Sequence, residues 1–259
     1  MKIDRVIAVL NDNEVYSSFW NIFSKVWRVK FGVMPTLMFV GSQDQLRKGD
    51  YSVEYGEIYR LDPLNEVVMD PNLDWSVTWA LFYGPTLFPD DICMTSGIDQ
   101  IPLSSKFIDS LAHHAEEDYI IGFSGAYRDL VGIYPSSHHV GKGSIYKQIY
   151  DIENQWHDEL RKVFSSKSSL KQSSLLPSSL WGLDEVYSSE VLDGSSYPNI
   201  VHKDIFHDQW APFRLDRGSS VDYDLDRLKA GYYSELHSPR PYELHQDYID
   251  TLVGSLLGD

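Results

Sequence analysis

Hydrophobic and polar positions along this chain switch repeatedly between a strand period and a helix period. Arg5-Val6-Ile7-Ala8-Val9-Leu10 is a short run rich in β-branched residues, and it ends on the polar cluster Asn11-Asp12-Asn13. That pattern reads as a buried strand leaving a sheet at a loop. Ser17-Ser18 can cap the next segment, in which Phe19, Phe23, Val26 and Trp27 recur at helical spacing until Gly32. Pro35 opens a second apolar run, Thr36–Val40, closed by Gly41-Ser42. Strand, helix, strand in this order is a βαβ unit and favours a parallel sheet.

The alternation continues. Glu57–Leu61 and Glu66–Met69 are strand candidates, and Trp75, Thr78, Trp79 and Phe82 line a helix that stops at Gly84-Pro85. Asp91–Ser96 is a strand that runs into Gly97-Ile98-Asp99-Gln100-Ile101-Pro102-Leu103. A carboxylate at the end of a parallel strand stands where α/β sheets bind ligands. A helix is expected over Lys106–His114, a strand over Tyr119–Phe123, and a polar, glycine-containing loop over Tyr134–Ser144. Helices over Ile145–Ile152 and Trp156–Val163 come next. Ser165 to Ser179 holds eight serines and reads as a mobile surface loop, either a connector or a lid. Trp181–Tyr187 starts a short helix, and the C-terminal third reads as irregular segments rich in aromatic and charged residues. There are no internal repeats. The expectation is one domain spanning 1–259.

Composition narrows the partners. The formal net charge of -16 repels nucleic acid and anionic membrane surfaces, and no basic run offsets it. A phosphorylated small molecule remains compatible, because a local cation or helix N-terminus can hold it. The 42% hydrophobic content is enough for a sizeable core, and the 14% aromatic content adds rings that can stack on sugars. The one cysteine, Cys93, permits no disulfide framework, which points to a cytoplasmic, reducing setting. Met1–Asp4 lacks the shape of a signal peptide, and no apolar run approaches the roughly 18 residues of a membrane span.

Several motifs fail on inspection. His138-His139 and His113-His114 are adjacent pairs whose rings point apart, so they do not chelate zinc from one face. Gly141-Lys142-Gly143-Ser144 lacks the first glycine of a phosphate loop, and Gly122-Phe123-Ser124-Gly125-Ala126 is no nucleophile elbow. Asn11-Asp12-Asn13-Glu14 is not the basic, glycine-rich loop that a nucleotidyltransferase wants after its first strand.

Four features in sequence order carry a resemblance. They are the opening strand–loop–helix and the segment Thr95-Ser96-Gly97-Ile98-Asp99-Gln100-Ile101-Pro102-Leu103. Next come Tyr134-Pro135 with Val140-Gly141-Lys142-Gly143-Ser144, then Trp181-Gly182-Leu183-Asp184-Glu185. The last is Asp216-Arg217 with Glu235-Leu236-His237-Ser238-Pro239-Arg240-Pro241-Tyr242. Together they resemble small GT-A nucleotide-sugar glycosyltransferases, including viral and phage-encoded ones. The resemblance implies an α/β GT-A-like fold with a mostly parallel central sheet flanked by helices. It also implies transfer of a sugar from a nucleotide-diphosphate donor, UDP foremost, to a hydroxyl on a glycan or related acceptor.

In that family a divalent cation, Mn²⁺ or Mg²⁺, bridges the donor phosphates and neutralises the charge of the leaving group. An Asp-x-Asp pair and a distant His hold it. By the resemblance Asp99 matches the second carboxylate and His237 the distant His, so both are metal candidates. Gly97 stands in place of the first Asp. Three outcomes are open: a metal held weakly by Asp99, His237 and the phosphates; metal-free chemistry with Lys142 or Arg240 as the cation; or loss of transferase activity. The last would leave a protein that binds a saccharide or nucleotide. Asp184 matches the acid that contacts the acceptor and would be the general base of an inverting enzyme. Asn11 and Asp12 are candidates for the nucleoside contact.

Overall fold

The computed structural model describes residues 2–63, 75–105, 108–109, 118–122, 133–170, 183–197, 200–202, 214–217 and 222–258. The expected strand Glu66–Met69 and most of the expected helix Lys106–His114 lie outside them. Ten strands are described: β1 (Arg5–Leu10), β2 (Met34–Val40), β3 (Glu57–Leu61), β4 (Ile92–Thr95), β5 (Gln100–Pro102), β6 (Tyr119–Ile121), β7 (His139–Lys142), β8 (Ile200–His202), β9 (Leu215–Asp216) and β10 (Glu235–His237). The helices are α1 (Glu14–Ser17), α2 (Phe19–Lys25), α3 (Gln43–Lys48), α4 (Trp75–Tyr83), α5 (Gly143–Ile149), α6 (Trp156–Leu170), α7 (Leu183–Gly194), α8 (Leu225–Lys229) and α9 (Tyr242–Leu257). α2 widens into a π-helical turn over Val26–Lys30.

Seven strands form one sheet in the order β3-β2-β1-β4-β7-β6-β8. β1, β2, β3 and β4 are mutually parallel, β7 runs antiparallel to both β4 and β6, and β8 is parallel to β6. The expected mostly parallel sheet is therefore what forms. Alternate residues of its central strands feed two cores, as strand geometry requires. Val6, Ala8, Leu10, Leu37 and Phe39 pack on the side of α2, whose Phe19, Trp20, Phe23 and the following Trp27 are buried there. Ile7, Met38 and Val40 face Trp79 and Phe82 of α4 and Tyr146 of α5. The result is helix, sheet, helix in three layers.

Arg5 ties the sheet's lower edge together. Its Nε donates to Asp91 at 2.9 Å, and its Nη1 donates to Glu57 at 2.6 Å and to Thr36 Oγ1 at 2.5 Å. The guanidinium also lies 3.7 Å from the centre of the Phe88 ring.

Four sequence expectations are corrected. Ser18 stands at the N-cap of α2 but its side chain makes no cap bond; the side-chain cap is made at α1, where Asn13 accepts from the Val15 N–H. The polar stretch before α5 contains strand β7, whose His139, Val140 and Gly141 are buried between β4 and β6. A histidine, a glycine and a lysine around one valine carry little strand signal, and pairing on both edges overrides their weak propensity. α6 continues through Ser165–Leu170, so the first part of the serine-rich segment is helix; its remainder lies outside the described residues. The C-terminal third is not wholly irregular. α9 has 16 residues and buries Ile249, Leu252, Val253 and Leu256, and its C-cap Gly258 adopts φ 83. The i, i+3, i+4, i+7 spacing of those four residues is the signal that marks the helix in the sequence.

Two outcomes test this packing. Leu252→Ala should destabilise the protein by about 2–5 kcal/mol, measured by urea unfolding; a neutral result would mean that α9 is not integral. Cys93 is fully buried, and burial pushes its thiol up to about 12. It should resist iodoacetamide in the native protein and react once urea unfolds it.

Candidate active site

The sheet order places a switch point between β1 and β4. From β1 the chain builds outward through β2 and β3, then returns to add β4 on the other side of β1. The loops after β1 and β4 therefore diverge and leave a crevice at the carboxyl ends of the strands. Asn11 and Asp12 leave β1 there, and Ser96-Gly97-Ile98-Asp99 leave β4 there.

A three-stranded sheet, in the order β5-β10-β9, brings the distant segments to this edge. β10 pairs antiparallel with β5, placing His237 opposite Gln100. It also pairs parallel with β9, placing His237 opposite Asp216. The Ser238 N–H donates to the Asp99 carbonyl at 2.8 Å and closes the same corner. Residues 99, 216–217 and 237–240 meet because one short strand pairs on both of its edges.

Asp99 is the centre of the group and is only 6% exposed. Its Oδ2 accepts from Arg217 Nη1 at 3.1 Å, while Arg240 Nε lies 3.4 Å and His237 Nε2 3.6 Å from the same oxygen. His237 Nδ1 faces Asp216 at 3.4 Å. Arg240 also lies over the Tyr16 ring at 4.7 Å, which joins this corner to the helix after the β1 loop. Burial pushes the Asp99 carboxyl up to about 6, against the pull of Arg217 and Arg214. Burial, with Arg214 and Arg217 nearby, pushes His237 down to about 4, so its imidazole is neutral near pH 7. Burial alone lowers Arg240.

Beneath this group lies a buried ion network. Glu235 Oε2 accepts from His138 Nε2 at 3.0 Å, and Arg214 Nε lies 2.8 Å from Glu235 Oε1. Burial would raise the Glu235 carboxyl, but His138 and Arg214 hold it below its ordinary value. His138 turns away from His139, as adjacent side chains must. His139 Nε2 donates to the Pro135 carbonyl at 2.6 Å, which leaves its Nδ1 to accept from Tyr119 Oη at 2.9 Å. The order of donors then runs on: Tyr150 to Tyr119 at 3.2 Å, and Ser188 to Tyr150 at 3.0 Å. The two rings are thus engaged in separate hydrogen-bond networks.

The other expected site residues fall in different places. Asn11 Oδ1 accepts from the Asn13 N–H at 3.1 Å, and Asp12 Oδ2 accepts from Gln45 Nε2 at 2.5 Å. They lie on the loop that leaves β1, with Asp12 turned to α3. Lys142 is not in the group. It pairs with Ile92 at the start of β4, three residues or about 10 Å of strand from where β4 ends. The glycines beside it serve packing: a Cβ on Gly143 would meet the Pro85 carbonyl oxygen at 2.1 Å. Asp184 lies in the first turn of α7, and its side chain lies outside the described residues. That turn is anchored by Glu185, whose Oε1 accepts from the Ser136 N–H at 3.2 Å. The Ser136 carbonyl in turn accepts from Thr95 Oγ1 at the end of β4, at 2.8 Å.

Sequence reasoning gives Arg217 no role beyond its place in the family-like pattern, and it misses Arg214. Their signal is partial, since arginines near a strand end reveal nothing until the pairing of β9 with β10 is known.

The donor set does not fit a divalent cation. Gly97 offers no side chain, and its N–H is taken by Gln100 Oε1 at 2.8 Å. The Asp99 oxygen nearest His237 already faces two guanidiniums, which would repel a dication at that point. Among the described residues no three His, Cys, Asp or Glu side chains are grouped to hold a metal ion.

Among solved structures, the chain is similar to the galactosyltransferase LgtC in complex with donor and acceptor sugar analogues. The TM-score is 0.50 at 12% identity, over 97% of this chain and 95% of that one. An active-site mutant of LgtC matches with the same TM-score and coverage at 13% identity. No protein-family model and no curated protein sequence matches. The fold is thus the mixed α/β GT-A fold of glycosyltransferases, with helices on both faces of its sheet. Among the described residues, no helix is long and apolar enough to cross a membrane.

Glu235→Ala would remove the hydrogen-bond acceptor of His138 and the counter-charge of Arg214 in a buried position. It should cost about 3–5 kcal/mol in urea unfolding. Glu235→Gln, which keeps the shape and one acceptor, should cost less; equal losses would refute the ion-network reading.

Proposed function

We propose that this protein transfers a sugar from a nucleotide-diphosphate donor, with UDP as the nucleotide, to a hydroxyl on a glycan or related acceptor. The observation that carries the reading is the gathering of Asp99, Arg217, His237 and Arg240 at the carboxyl ends of β1 and β4. It lies at the switch point where this kind of sheet binds ligands. The shared fold with LgtC supports the reaction class.

The chemistry asks three things of such a site. The nucleoside must be seated, and the loop of Asn11 and Asp12 borders the crevice for that purpose. The negative charge growing on the diphosphate must be stabilised, and preorganised cations in a part-buried site do this at little reorganisation cost. The acceptor hydroxyl must lose a proton. In this reading Asp184 is the base if the sugar is inverted, an assignment that rests on the family resemblance. Gly97 favours one rival, a protein of the same fold that binds a nucleotide or saccharide without turnover.

Calorimetry with UDP and GDP, followed by nucleotide-release assays with their sugars, tests the reading. UDP should bind, and one UDP-sugar should release UDP faster when acceptor glycans are added. Binding without release under any acceptor would favour the binding protein. A folded sample that binds neither nucleotide would sink the donor-site reading. Asp184→Asn should lower kcat by about 100-fold or more with little change in donor KM.

A further inference from the structure

The geometry points to Arg217 and Arg240 as the groups that grip the donor's diphosphate directly, in the place where a divalent cation would otherwise stand. The inference rests on the nucleotide-sugar reading above and deepens it by naming what neutralises the leaving group.

Three observations carry it. First, two guanidiniums converge on one carboxylate oxygen, at 3.1 and 3.4 Å, so Asp99 balances only one of the two positive charges. Among the described residues, Glu235 is engaged by Arg214 and His138, and an oxygen of Asp216 lies 3.4 Å from His237. Second, both arginines keep open sides. The Arg217 side chain is 36% exposed and that of Arg240 is 20% exposed, whereas Asp99 behind them is 8% exposed. A guanidinium has five donors in a planar fork, and one carboxylate oxygen engages few of them. The remaining donors suit phosphate oxygens, which the fork binds in pairs. Third, Tyr16 under Arg240 holds that guanidinium at the β1 loop, and the pairing of β9 with β10 holds Arg217 at the β4 loop. The two cations are therefore held beside the loops that leave β1 and β4.

This arrangement also gives Gly97 a meaning. A Cβ there would come within 3.1 Å of Asp99 Oδ1 and 3.0 Å of Gln100 Oε1. A second carboxylate at that point would add a like charge beside Asp99 and compete with phosphate for the same arginines.

The two ways of neutralising the diphosphate make opposite demands on Asp99. As a metal ligand it is indispensable. As the resting counter-ion of two arginines it competes with the phosphate, and neutralising it should leave the arginines readier for an anion.

The test is calorimetry on the full chain with sodium pyrophosphate and with UDP, in EDTA and again in Mn²⁺. Both should bind in EDTA, with little gain from Mn²⁺. Arg217→Ala and Arg240→Ala should each weaken binding about 10-fold or more, with the lysine variants in between. Asp99→Asn should bind pyrophosphate in EDTA at least as tightly as the native chain. Thermal melts establish that each variant is folded. Should Arg240→Ala lose its fold with the Tyr16 contact, Arg217→Ala and Asp99→Asn still decide. Binding that needs Mn²⁺ and disappears in Asp99→Asn would overturn the arginine assignment and leave the donor site standing. UDP unbound in both buffers would overturn the donor reading and this inference with it.

Discussion

Glu235 is a fully buried carboxylate at the start of a three-residue strand, and much of the functional corner rests on it. It cannot stay ionised in that position without partners, because burying an unpaired charge costs several kcal/mol. His138 comes from the main sheet and Arg214 from the segment entering β9, and both converge on it. The small sheet is thereby tied to the large one by charge as well as by apolar packing, since Ile101, Leu215 and Leu236 of its strands lie in the same core as Val6, Ala8 and Met94. Two residues along β10 stands His237, and three further on Arg240, so the register set at Glu235 determines where those side chains arrive.

The same logic extends to the open part of the site. Asp99, Arg217, Arg240, His237 and Asp216 form a second, more exposed layer of charge above the buried one. Burial raises Asp99 to about 6, which leaves it largely ionised at pH 7, and lowers His237 to about 4, which leaves its ring neutral there. The cationic charge of the layer is guanidinium, which keeps its proton near neutrality. In a chain of net charge -16 these two arginines are a local concentration of cations, set beside Asp99. It sits where the sheet opens a crevice, which is the combination a polyphosphate needs if it is to approach an acidic protein.

On the other side of β7, the ordered chain from Ser188 through Tyr150, Tyr119 and His139 to Pro135 fixes the loop that precedes the strand. Each tyrosine hydroxyl there accepts one bond and donates one. The polar atoms are satisfied inside an aromatic cluster, and the backbone that delivers His138 to Glu235 is held in place. His138 itself takes φ 66, a conformation uncommon outside glycine that survives only when its surroundings hold it.

The sequence alone determined the first half of the fold. Runs such as Arg5–Leu10 and Thr36–Val40 carry a local signal strong enough to name strands, and a strand–helix–strand order leaves few topologies. It also singled out Asp99, His237 and Arg240 by the company they keep in the chain. Tertiary structure decided the rest. β7 and α9 needed it for different reasons: β7 is stabilised by neighbours on both edges, while α9 had the spacing but sits among residues that obscure it. Lys142 shows the limit most plainly, since it is a candidate cation for the donor in the sequence and the antiparallel register carries it to the far end of β4. Arg217 shows the converse, a residue without a role in the sequence reading that is delivered to Asp99 across 118 positions of chain. Periodicity reports what a residue's immediate neighbours require. Which charges meet depends on strand pairing between distant segments, and that is settled only when the sheets close.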